Sequence, residues 1–262
     1  MAQPTGPIGI FDSGVGGLSV AAAIRSLLPA ERLLYYADTR HFPYGSRSES
    51  EVVALALAAT EFLVRKGAKL VVVACNTASS AALQTLRIRF DVPFVGVVPG
   101  VKPGALASSR ARVCVLATQA TFETRVFNDL VEAFGRGVDI RNQVCPELIA
   151  LVESGEVASA RVTALLENYL RPLLREGVDT LVLGSTHYHF LKDAIARVAG
   201  PEVTVIETAG PVARQVERVL AQEQLRNPSA RDAGISFFSS GDLRQFLRTA
   251  ERLWPESIGV TL

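Results

Sequence analysis

The sequence predicts an α/β fold of two pseudo-symmetric lobes, each a mostly parallel sheet flanked by helices. Three observations predict it. Short, continuous Val/Leu/Ile runs alternate with longer amphipathic stretches, the pattern of strands buried on both faces and joined by helical crossovers. Turn signals divide the chain, with two Pro-Gly pairs in Val98-Pro99-Gly100-Val101-Lys102-Pro103-Gly104 and a further break at Thr208-Ala209-Gly210-Pro211. There is also an internal echo. Ile8–Ser13 resembles Val113–Thr118 and Leu70–Thr77 resembles Thr180–His187, at offsets of about 105 and 110 positions. Its register is loose, and chance likeness between buried strands is the alternative. Read as a repeat, it aims the strand tips of both lobes into one cleft beyond the carboxyl ends of the strands, where open α/β sheets bind ligands.

The elements follow in order. The first strand, Ile8–Phe11, runs into the turn Asp12-Ser13-Gly14-Val15-Gly16-Gly17, and Leu33–Ala37 is the second. Glu49–Lys66 reads as a helix because Val52, Val53, Ala56, Ala59, Phe62 and Leu63 recur near the helical period. Leu70–Ala74 is a strand ending at Cys75, Ala78–Arg89 a helix, and Phe94–Val97 a strand reaching the Pro-Gly turns. The second series has strands at Val113–Ala117, Thr180–Gly184 and Val203–Ile206, with helices over Ala158–Arg175 and Leu191–Ala199; Ile235–Phe238 is a late strand. One lobe then comprises residues 1–98 plus 210–262, the other 99–209.

Composition narrows the function. A chain of 262 residues with 27 Lys+Arg against 26 Asp+Glu has a net charge of +1, which leaves no field to gather nucleic acid or an anionic membrane. No apolar stretch approaches the ~20 residues of a membrane span, and the run Ile8–Phe11 meets Asp12 too soon for a signal peptide. Three cysteines do not make a disulfide scaffold and suit a reducing, cytoplasmic setting. His41, His187 and His189 have no Cys, Asp or Glu at metal-ligand spacing, so no metal site is expected.

The chemistry-bearing residues stand where strands end. Gly14-x-Gly16 followed by Asp38 roughly fits a dinucleotide turn, although Ser19 fills the third glycine position and Asp12 would oppose a pyrophosphate. A plain glycine turn without ligand is the other reading. Cys75 opens a helix, where the dipole favours its thiolate and lowers its pKa; a buried apolar cysteine is the alternative. Asn76 and Thr77 can hold a carboxylate. Cys114 reads as core and Cys145 as structural. Gly184-Ser185-Thr186-His187 lacks the hydrolase elbow, and Ser185 or Thr186 reads locally as a helix cap.

Taken together, Gly9-Ile10-Phe11-Asp12-Ser13-Gly14-Val15-Gly16-Gly17-Leu18, Ala37-Asp38, Phe42-Pro43-Tyr44-Gly45, Ala74-Cys75-Asn76-Thr77-Ala78-Ser79, Cys145-Pro146, Glu153, Leu183-Gly184-Ser185-Thr186-His187-Tyr188 and Ser239-Ser240-Gly241-Asp242 resemble the glutamate racemases of the aspartate/glutamate racemase superfamily. The resemblance implies an active site between the lobes and inversion of glutamate at its α-carbon by two cysteines on opposite faces. It implies no cofactor and no metal, D-glutamate supply for peptidoglycan, and a homodimer. By the same resemblance, Cys75 is the first catalytic thiol and Asp12 its acidic partner. Ser13, Asn76, Thr77 and Thr186 are substrate contacts, and Pro43, Tyr44, Gly45 and Ser46 form a substrate loop. His187 and Glu153 assist the second face. The second catalytic cysteine should stand at 185, where this chain has Ser185. Either an introduced serine disarms the enzyme, or a native one leaves a one-thiol lyase, a decarboxylase or a dicarboxylate-binding protein. The chain also has His189 where the family usually has proline, and Thr208 where serine is frequent.

Overall fold

The computed structural model describes residues 3–229 and 233–254. In chain order it has β1 (Ile8–Asp12), α1 (Leu18–Leu27), β2 (Leu33–Ala37), α2 (Glu49–Arg65), β3 (Leu70–Val73), α3 (Asn76–Arg89), β4 (Phe94–Gly96) and α4 (Val101–Ala107). Next come β5 (Arg112–Ala117), α5 (Gln119–Phe122), α6 (Arg125–Phe134), β6 (Asp139–Val144), α7 (Pro146–Glu153), α8 (Ala160–Arg175) and β7 (Thr180–Leu183). The rest are α9 (Lys192–Ala199), β8 (Thr204–Ile206), α10 (Ala209–Gln222), β9 (Ile235–Ser239) and α11 (Leu243–Leu253), with 3₁₀ turns at Thr39–His41, Tyr44–Ser46 and Thr186–Leu191.

Among the described residues the strands form two sheets, ordered β4-β3-β1-β2-β9 and β6-β5-β7-β8, and their pairings are parallel. The echo in the sequence has a topological counterpart. Replacing β1, β2, β3 and β4 by β5, β6, β7 and β8 turns one order into the other, with β9 as an addition to the first sheet. Cys75 after β3 and Ser185 after β7 are therefore equivalent strand ends.

Alternation along the buried strands explains the layers. Ile8, Ile10, Leu33, Tyr35, Leu70 and Val72 face α1, whereas Phe11, Leu34, Val71 and Val73 face α2 and α3. The first of these cores continues without a break into the second sheet through Cys114, Leu116, Leu181 and Leu183, which meet α8 and α10. Val113, Val115 and Val182 cover the opposite face with Val101 and Phe127. Two sheets sharing one core hold their strand tips in a fixed relation.

Several boundaries differ from the sequence reading. The strand β6, DIRNQV, is absent from it: this is an edge strand with only Ile140, Gln143 and Val144 partly covered, and its polar residues mask the alternation. The helix expected from Ala78 starts at Asn76 with Cys75 as its cap, and that expected from Leu191 begins at Lys192 after a 3₁₀ turn.

Helix α2 starts on a complete capping box, Ser48 with Glu51. At the opposite end of the first sheet Lys69 Nζ lies 2.6 Å from Glu31 Oε2 and donates to the Pro4 carbonyl, while Glu31 also accepts the Asn227 N–H. Both side chains are buried. Removing one partner strands the other charge away from water, so Lys69→Met is expected to cost about 3–5 kcal/mol. Replacing both residues by apolar ones should cost much less. Urea unfolding of the two variants checks this, and equal losses would mean that the pair does not act as a unit.

Candidate active site

The turn after β1 is built by its own acid. Asp12 Oδ1 accepts the Gly14 N–H at 2.8 Å, and Oδ2 accepts the Thr186 hydroxyl at 3.2 Å. The second bond crosses from one sheet to the other. A second crossing comes from α7: Glu153 Oε1 accepts the Val15 N–H at 3.0 Å and lies 2.6 Å from His187 Nε2. The glycines of the turn allow this closeness. A Cβ on Gly14 would fall 2.8 Å from Glu153 Cδ, and one on Gly16 2.7 Å from His187 Nδ1, so side chains from the other half fill the place of a pyrophosphate. That removes the dinucleotide reading.

Cys75 caps α3, its sulfur accepting the Ala78 N–H at 3.5 Å and lying 3.9 Å from Ser13 Oγ. Ser185 is buried and makes no capping bond, and Thr186 spends its hydroxyl on Asp12, so neither residue is the helix cap that the sequence suggested. Asp12, Ser13, Pro43, Tyr44, Gly45, Cys75, Asn76, Thr77, Ser185, Thr186 and His187 line one cavity of about 30 Å³. That is room for roughly one or two waters. Both polar atoms of the buried Asn76 amide lack a partner, an arrangement that awaits a polar ligand.

Of the residues picked out in the sequence, two stand apart. Ser46 closes the 3₁₀ turn Tyr44–Ser46 but is exposed and turns its hydroxyl to the Pro43 carbonyl. Glu153 stays behind His187 and borders a separate hollow of about 290 Å³ against α11, which Gly241 and Asp242 also line. Three lining residues escaped the sequence reading: Thr118, Thr121 and Ile149. Thr118 Oγ1 lies 3.3 Å from Thr77 Oγ1 and 2.9 Å from Thr121 Oγ1. The internal echo held a signal for it, because Thr118 follows β5 as Ser13 follows β1. The loop is held by Asp38, which accepts from Tyr44 Oη at 2.6 Å and meets His41 Nδ1 at 2.9 Å. Among the described residues no cluster of His, Cys, Asp and Glu has metal-binding geometry, and no helix is long and apolar enough to cross a membrane.

Electrostatics overturn one expectation. Burial, and next the Asp12 carboxylate, push the Cys75 thiol up to about 12, although Ala78 and Ser13 hydrogen bonds oppose them. The helix start acts in the expected direction and loses to desolvation. Burial likewise raises Asp12, against His187 and the Gly14 N–H. For His187, burial pulls the pKa down but the Glu153 hydrogen bond and charge, with Asp12, raise it above the ordinary value. Cys114, in the core, is pushed up to about 12 by burial.

A thiol raised in the folded state binds a proton that the unfolded state loses from about pH 8.5 upward. Stability is full below that pH and falls as pH rises toward 12. The thermal midpoint should therefore drop between pH 8 and 11, and Cys114→Ala should flatten the slope; an unchanged slope would exonerate this thiol.

Comparison with known proteins agrees with this geometry. The model of the Asp/Glu/Hydantoin racemase family matches residues 15–216. A glutamate racemase of Herpetosiphon aurantiacus is 45% identical over 247 residues, 94% of this chain and 97% of the relative. The crystal structure of a glutamate racemase isoform from Bacillus anthracis superposes with a TM-score of 0.87 at 32% identity, covering 98% of this chain and 96% of that one. The Escherichia coli glutamate racemase, in complex with L-glutamate and an activator, gives 0.82 at 33% identity, covering 94% and 95%. With likeness of this extent in both sequence and fold, the chain belongs to the glutamate racemases of the Asp/Glu/Hydantoin racemase family.

Proposed function

We propose that this chain binds glutamate between its two sheets and moves the α-proton through Cys75. In full two-base inversion, the Cys75 thiolate would take the α-proton, breaking C–H and forming S–H. A thiol at 185 would then give a proton to the opposite face of the carbanion. An amino-acid α-proton is very weakly acidic, so the site must hold the charge that develops on the substrate. The unpaired Asn76 amide, with Ser13, Thr77 and Thr186, suits a carboxylate, and Asp12 suits the ammonium group. His187, backed by Glu153, is poised beside the second face.

The observation that carries the reading is the equivalence of Cys75 and Ser185 at matching strand ends of one cavity. The same equivalence supports reading this chain as an impaired racemase, because a hydroxyl stays protonated at neutral pH where a thiol can supply its thiolate. The role that follows is D-glutamate supply for peptidoglycan in the cytoplasm, where the three free thiols stay reduced. Ser185 itself favours a second reading, a one-thiol lyase or decarboxylase in which Cys75 protonates one face. Circular dichroism of L- and D-glutamate with Ser185→Cys separates the two: racemisation supports the first, and inertness to both enantiomers sinks it.

A further inference from the structure

The 3₁₀ turn that carries Thr186 and His187 also carries His189, and both nitrogens of that ring are engaged. Nδ1 lies 3.1 Å from Ser19 Oγ on α1, and Nε2 lies 3.3 Å from Thr208 Oγ1. Ser19 is itself a junction, with Oγ 2.9 Å from the Gly16 carbonyl and 3.4 Å from that of Thr186. A hydroxyl has one proton. Given to Gly16, it leaves Ser19 as the acceptor of a His189 Nδ1–H, and Nε2 as the acceptor of the Thr208 hydroxyl. Thr208 precedes α10 as its N-cap residue yet makes no capping bond. Its hydroxyl, which would ordinarily serve the helix, serves the imidazole. Burial, with Lys192 and His187, lowers the pKa of this ring to about 4 against the pull of Glu207 and the Leu183 carbonyl, which fits a neutral donor–acceptor bridge.

We propose that His189 is a positioning residue: with Ser19 it clamps the Asp12–Gly17 turn of the first sheet onto Thr186 and His187 of the second. The clamp ties the Gly16 carbonyl to the turn on which Gly16 already presses, with no space for a Cβ beside His187. Asp12 and His187 are thereby held at one separation across the cleft. This rests on the reading of the site given above. It gives His189 a task in the reaction that packing alone would not.

The test compares His189→Leu, Ser19→Ala, their double variant and His189→Asn, each in the Ser185→Cys background. His189→Leu and Ser19→Ala should each lower kcat by about tenfold, with KM within about twofold. The double variant should be no worse than the poorer single one. His189→Asn keeps an N–H near the Nδ1 position and should recover most of kcat. A kcat unchanged in His189→Leu, additive losses, or no recovery in Asn would overturn the proposal. The ¹⁵N resonances of the His187 ring in the Ser185 protein read the same coupling without turnover. They should move in His189→Leu and Ser19→Ala and hold in His189→Asn. An inert Ser185→Cys protein would defeat the functional reading alone, and unmoved His187 resonances would defeat the clamp alone.

Discussion

Ser185→Cys is expected to raise glutamate racemisation by roughly 10²–10⁴-fold, the range that one positioned acid or base contributes. Cys75 follows β3 and Ser185 follows β7, and these strands hold equivalent places in the two sheets. A sulfur at 185 therefore enters the same cavity as the sulfur at 75, from the second sheet instead of the first. The exchange of oxygen for sulfur is small and leaves the strand and its turn unchanged. It replaces a hydroxyl that stays protonated at neutral pH with a thiol whose free pKa is about 8.5. In the Ser185 protein the Cys75 thiol should still work on its own face. In deuterated buffer one enantiomer of glutamate should lose its α-proton to solvent with retention, and the other should not. Mass spectrometry after chiral separation reads both. If the cysteine variant folds and binds glutamate but racemises neither enantiomer, two-base chemistry is not what this site does.

Much of this site was legible before the fold was known, for a local reason. A buried parallel strand reads as an unbroken apolar run, and its end is marked by the first polar residues: Asp12 as the last residue of β1, Cys75 after β3, Ser185 after β7. What could not be read were relations between such ends. Thr118 meets Thr77 and Glu153 meets Val15 only because two sheets share one core and face each other tip to tip. The Cys75 pKa shows the same limit. Its place at a helix start is a local fact and argues for a lowered value; its burial beside Asp12 is a tertiary fact and reverses the sign. The edge strand β6 hid for the opposite reason, since exposure permits the charged residues that disguise it.

The reversal at Cys75 leads to a prediction in which reactivity and turnover part company. Asp12→Asn removes the charge that, after burial, does most to hold the Cys75 thiol protonated. The pKa of Cys75 should fall, its thiolate fraction at pH 8 should rise, and iodoacetamide should alkylate it faster than in the Asp12 protein. If thiolate supply were all that catalysis needed, the variant would also be the better enzyme. We expect the reverse, a loss of about 10²–10³-fold in α-proton exchange. On the function proposed above, the ammonium group of bound glutamate would lie beside Asp12 and supply the missing positive charge. The same carboxylate that suppresses the Cys75 thiolate would then fix the cation that releases it. Asp12 would in this way keep the base protonated until substrate arrives. Alkylation rates against pH, with and without D- or L-glutamate, measure both halves. Should Asp12→Asn raise reactivity and turnover together, Asp12 is only a brake on the thiol; should it raise neither, the carboxylate does not act on Cys75 at all.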